Sequence, residues 1–198
     1  IKNCLFEALT SKIAQVLDCS LASTPAMFMS VVKTDADAAI QITASHHPWE
    51  RNGLKFFTVS GGLEGEDISA ILSAAENEDI SFLKPDSSKI KKIDFMSEYA
   101  ADLRGMIKKG VNAEDFEHPL KGYKIIVDAG NGVGGFYANN VLAPLGADTL
   151  GSQFLEPDGM FPNHIPNPEN QKAMESVCAA TVKSGADLGI IFDTDVDR

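Results

Sequence analysis

The sequence is poor in basic residues, poor in cysteine and free of long apolar runs. It has 17 Lys and Arg against 28 Asp and Glu, a formal net charge of -11, and so lacks the basic face that nucleic-acid partners require. Its 3 cysteines are odd in number and have no metal-ligand spacing, which predicts reduced thiols rather than a disulfide framework. No apolar run approaches the roughly 18 residues of a transmembrane helix, so we expect no membrane partner.

Short apolar strands alternate with amphipathic helices along a chain that is 44% hydrophobic. The predicted strands are 38–43, 54–60, 123–129, 147–155 and 186–193. The first predicted helix runs from Leu5 to near Asp18. A second begins with Thr24 as its N-cap and Pro25 at its first helical position. The other predicted helices are 68–75, 95–110, 135–146 and 171–185. This alternation predicts an α/β fold with largely parallel, buried sheets.

A polar stretch at 108–122, KKGVNAEDFEHPLKG, separates two groups of these elements. The strand–helix pattern begins again after it, and domain boundaries fall in polar segments that contain glycine and proline. We therefore predict two consecutive α/β domains with mostly parallel mixed sheets, residues 1–113 and residues 114–198.

The segment ITASHHPWERNGLKFF places reactive side chains directly after the strand 38–43. Pro48 forces an extended bend there, and an Asn-Gly turn can return Lys55 to the same end of the sheet. Ligands gather at the carboxyl ends of strands in α/β proteins. Because a serine hydroxyl is a weak nucleophile without a base or a metal, Ser45 beside His46 is a candidate nucleophile. The simplest alternative is an ordinary turn serine.

The segment LGIIFDTDVDR carries three alternating aspartates at the end of the strand 186–193. Asp193, Asp195 and Asp197 would repel one another unless a cation joined them, and hard carboxylate oxygens select Mg²⁺ or Ca²⁺. An EF-hand is excluded because Arg198 stands where the loop requires glycine. The simplest alternative is a solvated acidic turn.

Together the two segments fit phosphoryl transfer to and from a serine. Such a reaction needs a divalent cation and positive side chains that position the phosphate groups. The available cations near these segments are Lys55, His46, Arg51 and Arg198.

Five segments resemble, in order, the landmarks of the α-D-phosphohexomutase superfamily, which contains phosphoglucomutases and phosphomannomutases. They are STPA at 23–26, TASHHPWERNGLKFF at 43–57, VDAGNGVGG at 127–135, PDGMFPNHIPNPEN at 157–170 and FDTDVDR at 192–198. The resemblance implies the first half of a four-domain phosphohexomutase. In that case 1–113 is an N-terminally incomplete domain I and 114–198 a C-terminally incomplete domain II.

The resemblance implies roles for individual residues. Ser45 would be the phosphoserine and would bind Mg²⁺ together with the three aspartates; His46 and Lys55 would be general acid or base; Arg198 would hold the phosphoserine region. The implied reaction is the interconversion of hexose 1-phosphate and 6-phosphate through a hexose 1,6-bisphosphate. The implied partners are a phosphosugar and the C-terminal domains of the same chain, in a monomer or homodimer located in the cytoplasm or a plastid.

Three residues depart from the family pattern. His47 replaces the usual Asn, and Thr194 and Val196 replace the usual Gly and Ala of the metal loop. The altered metal loop and the segment LKFFT at 54–58 resemble the phosphoglucosamine-mutase-like branch of plants and algae.

Three other functions stay open at this point. GNGVGG at 130–135, with Glu156 beyond it, fits a dinucleotide-binding fingerprint, although we favour a structural turn. A strand that runs into D-x-D also resembles a haloacid-dehalogenase-type phosphatase with Asp193 as the phosphorylated residue. A non-catalytic sugar-phosphate sensor is the third. His118 and His164 lie in polar segments, and we expect both to be solvated.

Overall fold

A computed structural model describes residues 1–12, 15–77 and 84–198. The chain forms two compact units. The first comprises Ile1–Ser20, Met27–Ile42 and Gly53–Asp94, and the second comprises Leu21–Ala26, Thr43–Asn52 and Phe95–Arg198. Within the described ranges, no helix combines the length and the apolar composition needed to cross a bilayer. The predicted domain ranges, 1–113 and 114–198, stay a prediction.

The first unit contains two small sheets. Its helices are α1 (Lys2–Lys12), most of α2 (Thr24–Thr34) and α3 (Gly65–Asn77), and its strands are β1 (Val16–Asp18), β2 (Ala39–Ile42), β3 (Leu54–Thr58), β4 (Gly61–Gly62) and β5 (Ile90–Lys92). Strands β1 and β5 pair in parallel, whereas β2, β3 and β4 form an antiparallel meander. The combination is the mixed arrangement predicted from the sequence.

The prediction of one helix from Leu5 to near Asp18 is wrong. Helix α1 ends at Lys12, and Val16–Asp18 is a strand in register with Ile90–Lys92. A three-residue strand is too short to show a period of two, and the apolar residues of this strand continue the helical spacing of the segment before it. Parallel pairing with β5, distant in the chain, decides the conformation.

The second unit is built on a parallel strand pair. Strands β6 (Ile125–Asp128) and β7 (Leu188–Ile191) pair from Ile125 opposite Leu188 to Asp128 opposite Ile191. Helices α4 (Phe95–Val111) and α5 (Gln171–Ser184) accompany them. Parallel pairing brings the carboxyl ends of β6 and β7 to one edge, where Asp128 and the loop after β7 lie side by side.

Two predicted elements of this unit are irregular. The predicted helix 135–146 is a 3₁₀ turn, a π-helical turn at Tyr137–Leu142 and a second 3₁₀ turn ended by Gly146 at φ 91°. The predicted strand 147–155 makes only isolated bridges, from Asp148 to Lys124 just before β6 and from Gln153 to Asp128 at the end of β6. Positive φ at Gly151 and Phe154 interrupts it, because a strand requires negative φ throughout.

The core of the second unit fixes β6 and β7. Two groups of buried side chains lie there, Ile125, Val127, Ala138, Leu142 and Ala147 in one and Ala100, Val141 and Leu145 in the other. Partly buried Ile190 and Phe192 pack on the first group, so the apolar end of β7 is anchored just before the aspartates. Each fully buried aliphatic side chain contributes about 1.5–3 kcal/mol.

Candidate active site

The three aspartates lie in a tight loop after β7. The Asp193 carboxylate accepts hydrogen bonds at Oδ1 from the backbone amides of Asp197, at 3.1 Å, and Arg198, at 3.2 Å. Its own amide donates to the Arg198 carbonyl at 3.2 Å. The hydrogen bonds of Asp193 therefore hold the loop in its tight conformation. As a result, ligand oxygens of Asp193, Asp195 and Asp197 lie within 4.8 Å of one another.

Burial and mutual repulsion act on Asp193. Its side chain is fully buried, and burial, followed by the charges of Asp195 and Asp197, raises its pKa to about 6, against an opposing hydrogen bond from the Arg198 amide. A cation between the carboxylates would reverse both effects, since it favours the ionised form. Clustered carboxylate oxygens are the donors that Mg²⁺ and Ca²⁺ bind. The residues present therefore fit a divalent cation.

Ser45 meets this loop within the second unit. Its Oγ donates to Asp193 Oδ2 at 3.3 Å and lies 3.3 Å from His46 Nδ1. The Ser45 backbone has φ 51°, a left-handed conformation that non-glycine residues rarely adopt, and its amide donates to Thr43 Oγ1 at 2.8 Å. The His46 ring stacks on that of His47 at 4.6 Å. The structure thus brings the predicted serine, its neighbouring histidine and the acidic loop together.

Two threonines that sequence reasoning missed complete the cluster. Thr24 Oγ1 and Thr43 Oγ1 both donate to Asp195 Oδ2, at 2.6 Å and 3.0 Å. Thr24 was predicted as the N-cap of α2, but Ser23 Oγ accepts the hydrogen bond from the Ala26 amide instead, at 3.2 Å. The one sequence signal for these threonines is their position, since each lies in a motif next to the end of a strand or the start of a helix, where ligand-binding residues gather.

The glycine-rich turn supports the acidic loop. The Val133 amide donates to the Thr194 carbonyl at 2.9 Å, and a Cβ on Gly132 would stand 2.7 Å from that same oxygen. A Cβ on Gly135 would overlap the carbonyl oxygen of Leu155. The glycines are therefore needed for close backbone packing, which favours the structural interpretation over dinucleotide binding.

Family models match both halves of the chain. The model described as "Phosphoglucomutase/phosphomannomutase, alpha/beta/alpha domain II" matches residues 98–198, more than half of the sequence. The corresponding domain I model matches residues 1–81. The chain belongs to the phosphoglucomutase/phosphomannomutase family.

Individual members of the phosphoglucomutase/phosphomannomutase family are similar along nearly the whole chain. A phosphomannomutase/phosphoglucomutase of Pseudomonas putida is 29% identical over 194 residues, covering 98% of this chain and 39% of the relative. A phosphoglucomutase of Neisseria meningitidis serogroup B is 32% identical over 183 residues, covering 92% of this chain and 37% of the relative. The chain thus spans about two fifths of the length of these relatives.

A solved structure of the family has the same fold. The phosphoglucomutase/phosphomannomutase family protein of Burkholderia thailandensis superposes with a TM-score of 0.78 at 25% identity, over 98% of this chain and 41% of that one. The two domain matches and the shared length fit the predicted first half of a four-domain phosphohexomutase.

Two further residues with roles implied by the family lie in different surroundings. Lys55 lies on β3 opposite Gln41, in the first unit, and its role stays a prediction. Arg198 holds Asp193 through its backbone, while its guanidinium lies 3.5 Å from the Glu169 carboxylate. An exposed pair of this kind is weak, so the Arg198 side chain can exchange its partner at little cost in free energy.

The expectation for His164 is wrong, whereas that for His118 is confirmed. His118 is exposed, but the His164 side chain is only 6% exposed and its Nε2 lies 3.0 and 3.1 Å from the two carboxylate oxygens of buried Asp128. Its Nδ1 lies 2.9 Å from the Ile165 carbonyl. The polar segment around His164 is therefore tied to the end of β6, a contact that local polarity cannot reveal.

The two family departures in the acidic loop, Thr194 and Val196, each have an energetic cost. Val196 has φ 66°, a left-handed conformation that costs a branched residue about 1–2 kcal/mol or more. Thr194 has a buried Oγ1 with no hydrogen-bond partner among the residues that the structure describes. Both residues stand where the family usually has Gly or Ala. A smaller side chain there would lower the cost of the left-handed backbone and remove the buried hydroxyl.

Proposed function

We propose that the complete gene product interconverts hexose 1-phosphate and hexose 6-phosphate, with Ser45 as the phosphoserine and hexose 1,6-bisphosphate as the intermediate. The proposal rests on one observation: the Ser45 hydroxyl lies 3.3 Å from Asp193, in a cluster of three carboxylates of which Asp193 and Asp195 are buried. Three carboxylates would repel a phosphoryl group on Ser45 unless a divalent cation lay between them, and a cluster that fits such a cation beside a hydroxyl supports phosphoryl transfer.

The reaction has two transfers that balance without a co-reactant. In the first, the bond from phosphorus to Ser45 Oγ breaks as a sugar hydroxyl oxygen bonds to phosphorus, and the proton of that hydroxyl ends on Ser45 Oγ. The resulting bisphosphate turns around. In the second, Ser45 Oγ bonds to the other phosphoryl group and gives up its proton, and the sugar oxygen released from that group receives a proton.

Other residues of this chain would bind the cation, transfer protons and bind phosphate. Asp193, Asp195 and Asp197 would hold Mg²⁺, which supplies positive charge against the oxygens of the transferring phosphoryl group. His46 has Nδ1 at 3.3 Å from Ser45 Oγ and would hold a proton at the nucleophile; general acid–base catalysis is worth about 10²–10⁴-fold. Lys55 is the second candidate acid or base, and Arg198 a candidate phosphate ligand.

The alternative functions lack comparable support. In a phosphatase of the haloacid-dehalogenase type Asp193 would be the nucleophile, yet here both of its oxygens accept hydrogen bonds in a fully buried position. The protein's own backbone packs against the glycines of the glycine-rich turn, so the space that a dinucleotide pyrophosphate would need there is occupied. A non-catalytic sensor would need no nucleophile at Ser45.

The decisive experiment identifies the phosphorylated residue. The complete gene product is incubated with Mg²⁺ and glucose or mannose 1,6-bisphosphate, and the phosphate is located by mass spectrometry before and after hydroxylamine treatment. We expect a hydroxylamine-stable phosphate on Ser45. A labile acyl phosphate on Asp193 would support the phosphatase instead.

Activity assays provide the matched comparison. Ser45→Ala should lower interconversion of the 1- and 6-phosphates by at least about 10⁴-fold, because removal of a nucleophile leaves only residual catalysis. Ser60→Ala makes the same change at an exposed turn serine and should leave the rate unchanged. Parallel assays with glucose, mannose, glucosamine and N-acetylglucosamine phosphates then give the substrate. Full activity in Ser45→Ala would refute the proposal.

A further inference from the structure

The Thr43 hydroxyl connects the serine segment to the acidic loop. It accepts a hydrogen bond from the Ser45 amide at 2.8 Å and donates one to Asp195 Oδ2 at 3.0 Å. A hydroxyl has a single proton to donate, so these two contacts fix its orientation. The backbone of Ser45 and the carboxylate of Asp195 are therefore held by one atom.

Thr24 holds the same carboxylate oxygen from another segment. Its Oγ1 donates to Asp195 Oδ2 at 2.6 Å, and its amide donates to the Asp195 carbonyl at 2.8 Å. Thr24 is 7% exposed and Asp195 is 3% exposed, so both bonds are shielded from water. Hydrogen bonds from hydroxyls to a buried carboxylate are short and strong.

We infer that Thr43 and Thr24 are positioning residues of the proposed site: both orient Asp195 for the divalent cation, and Thr43 alone also sets the backbone of Ser45. The inference rests on the proposed function. Partners of this kind orient metal ligands in many proteins, and their loss weakens metal binding by about 10–100-fold. Neither threonine touches the reacting atoms.

The difference between the two threonines gives a sharp test. Thr43→Val removes the hydrogen bond to Asp195 and also the hydroxyl that accepts a hydrogen bond from the Ser45 amide. Thr24→Val removes only the side-chain hydrogen bond to Asp195. Both variants of the complete gene product should bind Mn²⁺, a probe for Mg²⁺, about 10–100-fold more weakly by calorimetry. With saturating Mg²⁺, Thr24→Val should regain the wild-type kcat, while Thr43→Val should keep a reduced kcat with an unchanged KM for the sugar phosphate.

Two control variants separate positioning from general stability. Thr43→Ser keeps the hydroxyl and should keep wild-type Mn²⁺ affinity. Thr181→Val makes the same chemical change where the hydroxyl bonds only a helix carbonyl, Val177 O at 2.7 Å, and should leave the affinity unchanged. If Thr43→Val does not fold, retained affinity in Thr43→Ser together with weakened affinity in Thr24→Val still supports the inference.

Two results would overturn it in distinguishable ways. Wild-type Mn²⁺ affinity in both valine variants would overturn the positioning role and leave the proposed function intact. A wild-type protein that binds no Mn²⁺ would overturn the metal site of the proposed function, and this inference with it.

Discussion

Without a divalent cation, the protein should lose stability as the pH rises, and Asp193 should be the cause. Its carboxyl is fully buried beside two other carboxylates, and its pKa is raised from 3.8 to about 6. The unfolded chain removes this burial and repulsion, so the ordinary value applies there. The folded state therefore binds the Asp193 proton more tightly than the unfolded state does.

The sign and size of the effect follow from this difference. Well below pH 3.8 the carboxyl is protonated in both states and its contribution to stability is complete. Between 3.8 and about 6 the unfolded chain ionises first, so the free energy of unfolding falls as pH rises. At about 1.4 kcal/mol per pH unit, the total loss is about 3 kcal/mol.

Urea unfolding in the presence of a chelator measures the loss, with the fluorescence of Trp49, the single tryptophan, as a probe close to Ser45. Asp193→Asn should be more stable than the wild type by up to about 3 kcal/mol at neutral pH and equally stable at about pH 3. Glu175→Gln neutralises an exposed carboxylate on α5 and should show no such difference. Saturating Mg²⁺ should remove the wild-type deficit, because a cation bound at the proposed site would favour the ionised carboxylates. Equal pH dependence in wild type and Asp193→Asn would refute the reasoning.

Two further predictions concern packing around the acidic loop. Gly135→Ala should destabilise the fold by about 1–3 kcal/mol, because its Cβ overlaps a backbone carbonyl, whereas Gly159→Ala has open space and should not; thermal unfolding compares them. Thr194→Val should raise the free energy of unfolding by about 1 kcal/mol, because it removes a buried hydroxyl without a hydrogen-bond partner among the described residues. A loss of stability in Thr194→Val would indicate that the hydroxyl is in use.

The parts of the fold that the sequence could predict are those with strong local signals. The predicted helix 171–185 is α5, Gln171–Ser184, because Asn170 caps its start and Gly185 adopts φ 63° at its end. The predicted strand 123–129 contains β6, whose continuous apolar run is typical of a buried parallel strand. The predicted helix 135–146 failed because local propensity does not reveal where a helix must tighten or widen to pack.

The same division holds for the candidate site. Alternating aspartates after a strand predicted a cluster, and the structure brings Ser45 to it, since both follow strand ends. The partners of hydroxyl and imidazole groups were not predictable. Thr24 donates to a carboxylate 171 positions away, and His164 pairs with an aspartate 36 positions away. Such choices depend on tertiary geometry that neighbouring residues do not encode.

Each compact unit is built from three separate segments of the chain, and this has a consequence for proteolysis. The polypeptide passes from one unit to the other at five points, after residues 20, 26, 42, 52 and 94. One nick at any of these points leaves four covalent links, so a singly cleaved molecule should not release either unit. Fragments isolated after limited digestion would then reflect several cuts, and the piece with Ser45 would be short.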